Sequence, residues 1–498
     1  METCIQVNDV KYAYPEGQQA LNGVNFSVKK GEFIFICGAN GSGKSTIGHL
    51  LNGLIPHFFG GKFKGSVKIF GVDTRKMSLA KLFPIVGLVL QNADAQLFNS
   101  SVEDELAFGL ESLGLSGKQI EKRIWETTRL LHITHLLKRS PDRLSGGEKR
   151  IVGIAAILCL RPSILILDEP YANLDWLGIS KVRAILKKIH AAGLTIVVIE
   201  QRVDGLIKDA SRCLVIERGN IIFDDKPEHS RKILLSQKLI PQYPKRTKKN
   251  NIETMTFCEK QKVFLSVHEL FCEINGKTIL KDISFNIYKG QAVALLGKNG
   301  SGKTTLIKHL NGLYRPKHGN ITVNGNRFIG KNPKETVGMV GLSFQNPNDQ
   351  FFKNRVVDEL QIGLRMIHKN HHEWLEQICH LFQLHGLLHR SPFSLSEGEK
   401  KRVAIASVLA IKPQVLILDE PTSGQDGRSK QILATILQKL THEELTIIVA
   451  THDLDFAKTV ADRSIILDNG KIVKDIPTVP AEQTEMPTRT NFDSPYLI

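Results

Sequence analysis

Runs of branched apolar residues alternate along this chain with polar stretches of helical period. Gly31–Gly38 (GEFIFICG) reads as a buried strand entering a glycine-rich turn, and the residues after Lys44 read as a helix. Residues 163–168 (SILILD) are almost continuously apolar and end on a carboxylate, the pattern of a central parallel strand. Residues 195–200 (TIVVIE) and 446–451 (TIIVAT) read the same way. Between Gln91 and Leu144 the sequence is polar and helical, which suggests a separate helical subdomain. The longest apolar run near a helix, Ile151 to Leu160, has ten residues, against the ~20 needed to cross a bilayer. The first residues lack a cationic start followed by an apolar stretch, so no secretion signal is expected.

The pattern occurs twice. Residues 38–54 (GANGSGKSTIGHLLNGL) return as 297–313 (GKNGSGKTTLIKHLNGL) with eleven of seventeen positions identical. LSGGEKR (144–150) is echoed by LSEGEKK (395–401), and ILILDEP (164–170) by VLILDEP (415–421). The copies are 259 residues apart at the first pair and 251 at the later two. A duplicated domain follows. The expected organisation is a first domain over 1–239, a basic linker over 240–261 (with PQYPKRTKKNN), a second domain over 262–476, and a mobile, proline- and threonine-rich tail over 477–498.

Composition narrows the class without choosing it. Hydrophobic residues make up 42% and charged residues 23% of 498 positions, the balance of a globular chain. Seven scattered cysteines form no metal-binding spacing and fit small buried side chains in a reducing, intracellular compartment. The formal charge of +16 is spread out, with one dense run at Lys245, Arg246, Lys248 and Lys249. A solvated linker, an anionic membrane face or a partner each accounts for that run.

The chemistry sits in the repeats. GxxxxGK[ST] lets glycine backbone wrap a phosphate, gives it a lysine charge, and places a hydroxyl for a metal. Gly38, Asn40, Gly41, Gly43, Lys44, Ser45 and Thr46 supply one such loop; Gly297, Asn299, Gly300, Gly302, Lys303, Thr304 and Thr305 supply the other. Each lies between a strand and a helix, so phosphate also meets a helix N-terminus. The strand-end acids Asp168 and Asp419 are placed to hold Mg2+, and Glu169 and Glu420 follow them to orient attacking water.

This combination of Walker A, LSGGE-type signature and Walker B resembles the nucleotide-binding domain of ABC proteins, once per half. The resemblance implies an α/β chain of two tandem P-loop NTPase domains, each with a parallel-sheet core, an antiparallel β part and a helical subdomain, using ATP and Mg2+. It implies that Gln91 and Gln345 are Q-loop glutamines, which touch the metal and communicate with a membrane partner. Asp175 and Asp426 resemble D-loop acids, and His452 the switch histidine at the γ-phosphate. Such domains pair head to tail, here within one chain. Site one would join Lys44, Gln91, Asp168 and Glu169 to the signature with Ser396 and Gly398. Site two would join Lys303, Gln345, Asp419, Glu420 and His452 to Ser145, Gly146 and Gly147.

The stretch QNADAQLFNSSVEDELAFGL, echoed by QNPNDQFFKNRVVDELQIGL, is similar to the ATPase of energy-coupling-factor importers for vitamins or transition-metal ions, in its fused form. That resemblance implies a peripheral protein on the cytoplasmic face of the membrane. Its partners would be a transmembrane coupling protein and a small substrate-capture membrane protein. Coupling helices would dock near Leu97-Phe98 and Phe351-Phe352, pairs that equally suit the core. No nucleic-acid partner is expected. The ATPase of another importer class, or a soluble tandem ABC protein on ribosomes or nucleic acid, is the alternative reading. Against the latter, the linker is short and the zinc cysteines of DNA-repair relatives are missing.

Two departures fall in site one. Gln201 stands where the second half has His452, and Glu397 replaces the glycine corresponding to Gly146. Hydrolysis is therefore expected mainly at site two. At the base end, Tyr14 resembles the aromatic that stacks on adenine, although a core role also suits it. The 259-residue offset sets Glu273 opposite Tyr14, with Phe271 and Ile274 as neighbours.

Overall fold

The computed structural model describes residues 2–92, 96–172, 174–201, 203, 206–244, 262–328, 338–366 and 372–478. Most of the linker, including its basic run, and residues 479–498 of the expected tail lie outside them. The chain divides into two compact units, Met1–Pro241 and Gln242–Ile498.

In the first unit, β1 (Thr3–Ala13), β2 (Gln19–Lys29), β4 (Lys62–Ile69) and β5 (Val72–Asp73) form an antiparallel sheet in the order β2-β1-β4-β5. A second sheet runs β10-β9-β3-β8-β7-β6, from β3 (Phe33–Gly38), β6 (Val86–Val89), β7 (Ile164–Asp168), β8 (Thr195–Glu200), β9 (Arg212–Glu217) and β10 (Asn220–Asp225). It is parallel except at the β9–β10 edge.

The continuous apolar runs are explained by burial of both faces. Ile34, Ile36, Ile164, Ile166, Val197 and Ile199 pack toward the antiparallel sheet. Their alternating neighbours Phe33, Phe35, Leu165, Leu167, Ile196 and Val198 pack with the helical side. That side includes helices Val102–Ser112, Gly117–Leu131 and Gly146–Cys159.

The second unit repeats this plan. Its antiparallel sheet is β12-β11-β14-β15, from β11 (Val263–Ile274), β12 (Lys277–Tyr288), β14 (His318–Val323) and β15 (Asn326–Arg327). The other sheet is β16-β17-β18-β13-β19-β20, from β13 (Ala292–Gly297), β16 (Val340–Ser343), β17 (Val415–Asp419), β18 (Thr446–Thr451), β19 (Arg463–Asp468) and β20 (Lys471–Pro477). The last strand runs past the expected domain end at 476, and Thr478 still bonds the Ser464 hydroxyl at 2.8 Å. At the front of the expected linker, Ile240 packs on the first core and Tyr243 on the second. All six described cysteines are buried free thiols. No helix among the described residues is long and apolar enough to cross a membrane.

Strand register corrects one sequence equivalence. Leu21, opposite Tyr12, and Leu280, opposite Cys272, occupy matching places. Ala13 faces Gln19 as Glu273 faces Thr278. The second hairpin is thus one residue shorter, and Ile274, not Glu273, stands in the place of Tyr14. The Glu273 carboxylate instead pairs with Lys317 at 2.8 Å on the surface.

The helical side holds a loop in each unit by one buried carboxylate. Glu105 accepts from the amides of Phe98 at 3.0 Å and Asn99 at 2.9 Å. Glu359 accepts from Phe352 and Lys353, both at 2.8 Å. The pinning divides each apolar pair: Leu97 and Phe351 are buried, while Phe98 and Phe352 stand out at 66% and 75% exposure. Glu359→Ala should leave two loop amides without their carboxylate partner and destabilise the second unit by about 1–3 kcal/mol. Chemical denaturation, with faster amide exchange at residues 352–353, checks this; unchanged exchange would contradict the pinning.

Candidate functional site

The parallel order brings the C-terminal ends of β3, β7 and β8 together, and likewise β13, β17 and β18. Each phosphate loop leaves β3 or β13 and enters a helix, Lys44–Leu51 or Lys303–Leu310. The turn requires glycine: Gly43 and Gly302 sit at φ 103° and 105°. A Cβ on Gly43 would also lie 2.6 Å from the Ala20 carbonyl oxygen. Lys44 and Lys303 are buried and donate to loop carbonyls, Ala39 at 2.8 Å and Gly297 at 2.7 Å. Burial pulls the Lys44 ammonium below its ordinary range.

Asp168 and Asp419 end β7 and β17, buried at 8% and 5% exposure. Desolvation raises both carboxyls above their usual range, opposed by hydroxyl contacts from Ser45 and Thr304. Thr304 Oγ1 donates to Asp419 Oδ2 at 3.1 Å. The other oxygens, Asp168 Oδ1 and Asp419 Oδ1, are buried without hydrogen-bond partners among the described residues. A hard cation answers such an oxygen, so these residues fit Mg2+. Among the described residues no group of three or more His, Cys, Asp or Glu is arranged to hold a metal ion by itself.

The next residues carry backbone strain. Glu169 and Glu420 have φ 46° and 44°, left-handed values that cost a non-glycine residue about 1–3 kcal/mol. Each is held by its amide, which donates at 2.8 Å across the sheet to Ile199 or Ala450. Around the side chains the units differ. Glu169 Oε2 accepts from Gln91 Nε2 at 2.6 Å, and desolvation raises this carboxyl. Glu420 Oε2 lies 2.9 Å from His452 Nδ1 and accepts from Thr451 Oγ1 at 3.3 Å, while Oε1 is 3.9 Å from Lys303 Nζ. Gln201, in the place of His452, is buried, and its Nε2 has no partner among the described residues. Gln345 is placed like Gln91, at the end of the strand beside Walker B, with an exposed side chain.

The signatures explain their own spelling. Ser145 and Ser396 cap helices Gly146–Cys159 and Glu397–Ala410 in reciprocal capping boxes with Glu148 and Glu399. A Cβ on Gly146 would meet nothing within 4 Å, so Glu397 fits at the corresponding place without rearrangement. A Cβ on Gly398 would lie 2.5 Å from Ser429 Oγ, so this glycine cannot change as freely. Asp175 and Asp426 cap the following helices, accepting from Gly178 and Ser429 at 2.8 Å. Tyr14 is half-buried, its hydroxyl 3.1 Å from Thr46 Oγ1 and its ring edge-on to Tyr12 and Phe59.

Two buried cations escaped the sequence reading, Arg150 and Lys401, whose bonds run to main-chain carbonyls. Their signal was present: a cation kept at the same place in LSGGEKR and LSEGEKK, just before an apolar helix.

A family model described as ABC transporter matches residues 21–172 and again 280–423. A relative from Caldanaerobacter subterraneus subsp. tengcongensis, provisionally named an ABC transporter ATP-binding protein, is 35% identical over 94% of this chain and 90% of its own. The structure of cbiO1 from Clostridium perfringens, part of the ABC transporter complex cbiONQ, is 31% identical over 44% of this chain and 90% of that one, with TM-score 0.41. An archaeal ribosome recycling factor, aABCE1, solved with ribosomal stalk protein aP1, shares the fold at 21% identity and TM-score 0.66, over 94% of this chain and 90% of that one.

If Tyr14 stacks on the base, Tyr14→Ala should weaken the tighter phase of a two-phase fluorescent-ATP titration by ~10-fold or more. Ile274→Tyr should tighten the weaker phase. Titrations left unchanged by both variants would remove the base-stacking assignment.

Proposed function

The chain belongs to the ABC transporter family, and on that premise we propose that it is the fused ATPase of an energy-coupling-factor importer, driving uptake of a vitamin or transition-metal ion through separate membrane proteins, with hydrolysis mainly at the second Walker A loop. ATP hydrolysis with Mg2+ is the family's activity. When bound, Mg2+ neutralises phosphate charge as the terminal bond breaks.

Lys44 and Lys303 take phosphate oxygens, and Ser45, Asp168 and Gln91 hold the metal in one half as Thr304, Asp419 and Gln345 do in the other. Glu420 orients the attacking water, and His452 steadies the γ-phosphate. In the first half Glu169 and Gln201 occupy those roles. The family's head-to-tail pairing implies that Ser145, Gly146 and Gly147 would act with the second loop, and Ser396 and Gly398 with the first.

The observation that carries the asymmetry is the surroundings of the two glutamates. Glu420 has the ring of His452 2.9 Å away, whereas the first unit offers Gln201 at that position. Glutamine can bond a phosphate, but it has no titrating nitrogen. The importer reading rests on the Q-loop text and on the exposed Phe98 and Phe352 presented beside it.

Glu420→Gln should lower the single-turnover rate ~10²-fold or more while ATP stays bound, and Glu169→Gln should cost less than ~10-fold. Equal losses, or a larger loss from Glu169→Gln, would contradict the assignment. A tagged chain should bring down two membrane proteins from detergent-solubilised membranes, and Phe98→Ser with Phe352→Ser should lose them while binding ATP normally. Recovery with ribosomes instead would overturn the importer reading.

A further inference from the structure

Each unit buries one cation on the signature helix, one turn in from the signature itself: Arg150 at 4% and Lys401 at 3% exposure. Isolated buried charge is costly, and burial draws Lys401 down to about 8. Both charges are spent on main-chain carbonyls. Arg150 Nη1 donates to Leu90 at 2.7 Å and Nη2 to Gln91 at 2.6 Å, so its fork spans two successive Q-loop carbonyls. Lys401 divides its donors differently. Its Nζ donates to the Gln345 carbonyl at 2.6 Å and to the Glu420 carbonyl at 2.9 Å. One ammonium therefore ties the signature helix, the Q-loop and the left-handed glutamate together.

We infer that Lys401 is a positioning residue that couples the Q-loop backbone to the orientation of Glu420, whereas the hydrogen bonds of Arg150 run to the Q-loop. A shift of the Q-loop pulls on Nζ and, through it, on a residue held at φ 44°, a strained conformation that persists only while its surroundings fix it. The hydrogen bond runs to the Glu420 peptide group, and the Lys401 ammonium also attracts the Glu420 carboxylate through space. In the first unit the corresponding link is a side-chain bond, from Gln91 to Glu169 at 2.6 Å. The two halves thus read their Q-loops through different atoms. This inference rests on Glu420 being the group that orients water.

The test is single-turnover ATP hydrolysis by the full chain, with Lys401→Gln, Lys401→Arg and Glu420→Gln in parallel. Fluorescent-ATP binding gives the affinity and the fraction of competent protein. Lys401→Gln should lower the rate constant ~10–100-fold, the loss expected when hydrogen bonds from a charged donor vanish, with ATP affinity held within ~3-fold. Lys401→Arg keeps the charge and the Q-loop bond and should give an intermediate rate. A merely structural role would lower the competent fraction and leave the rate constant of the remainder unchanged, and that result overturns the inference. So does a wild-type rate in Lys401→Arg, which remains decisive if the glutamine variant fails to fold. If Glu420→Gln itself turns over normally, the reading of Glu420 fails first. Loss in Glu420→Gln with wild-type rates in both Lys401 variants sinks this inference alone.

Discussion

The parallel register of the two six-stranded sheets is the constraint on which the rest depends. It sets β7 beside β8 and β8 beside β3, with Asp168 opposite Ile199 and Cys37 opposite Glu200. The phosphate loop, the strand-end acids and the switch position thereby open at one edge of each unit. The amide of the strained glutamate then donates across that register to Ile199 or Ala450 at 2.8 Å. A one-residue slip would exchange the two buried faces and lose this bond, so core packing and site geometry are specified together.

From this frame the halves diverge by substitution rather than by architecture. His452 becomes Gln201, Gly146 becomes Glu397, and Tyr14 becomes Ile274 through a hairpin one residue shorter. Glu397 occupies a place where Gly146 leaves open space, while Gly398 stays glycine against Ser429. On the proposed reading, asymmetry of this kind gives the two phosphate loops of one scaffold unequal work.

Much of this was legible because the chemistry dictates residue types. Only glycine suits the turn at Gly43 and Gly302, and only a strand-end carboxylate suits Asp168 and Asp419, so motif and spacing carried both. The double-faced core was legible in ILILD and VLILD for the same reason. What the sequence hid depends on geometry without a distinctive letter. The offset between repeats pointed to Glu273, because a one-residue difference in a hairpin is visible only in strand pairing. The capping role of Glu148 and Glu399 passed as part of the signature, although Ser-x-x-Glu spells it. Glu105 and Glu359 have no distinctive spelling, since a carboxylate at a helix start is ordinarily solvated; their role shows only in the bonds to loop amides. Arg150 and Lys401 were overlooked because a cation beside an apolar run is ordinarily a surface residue.

The central claim is unequal hydrolysis by two sites on one scaffold, and the most direct measurement is the location of trapped nucleotide. A photoreactive ATP analogue would be trapped with vanadate on the wild-type chain and crosslinked. Peptide mapping then shows which half carries the label. The account predicts label predominantly in the second half, on peptides around Ile274 or Lys303. Equal labelling of both halves, or label concentrated around Tyr14 and Lys44, would contradict it.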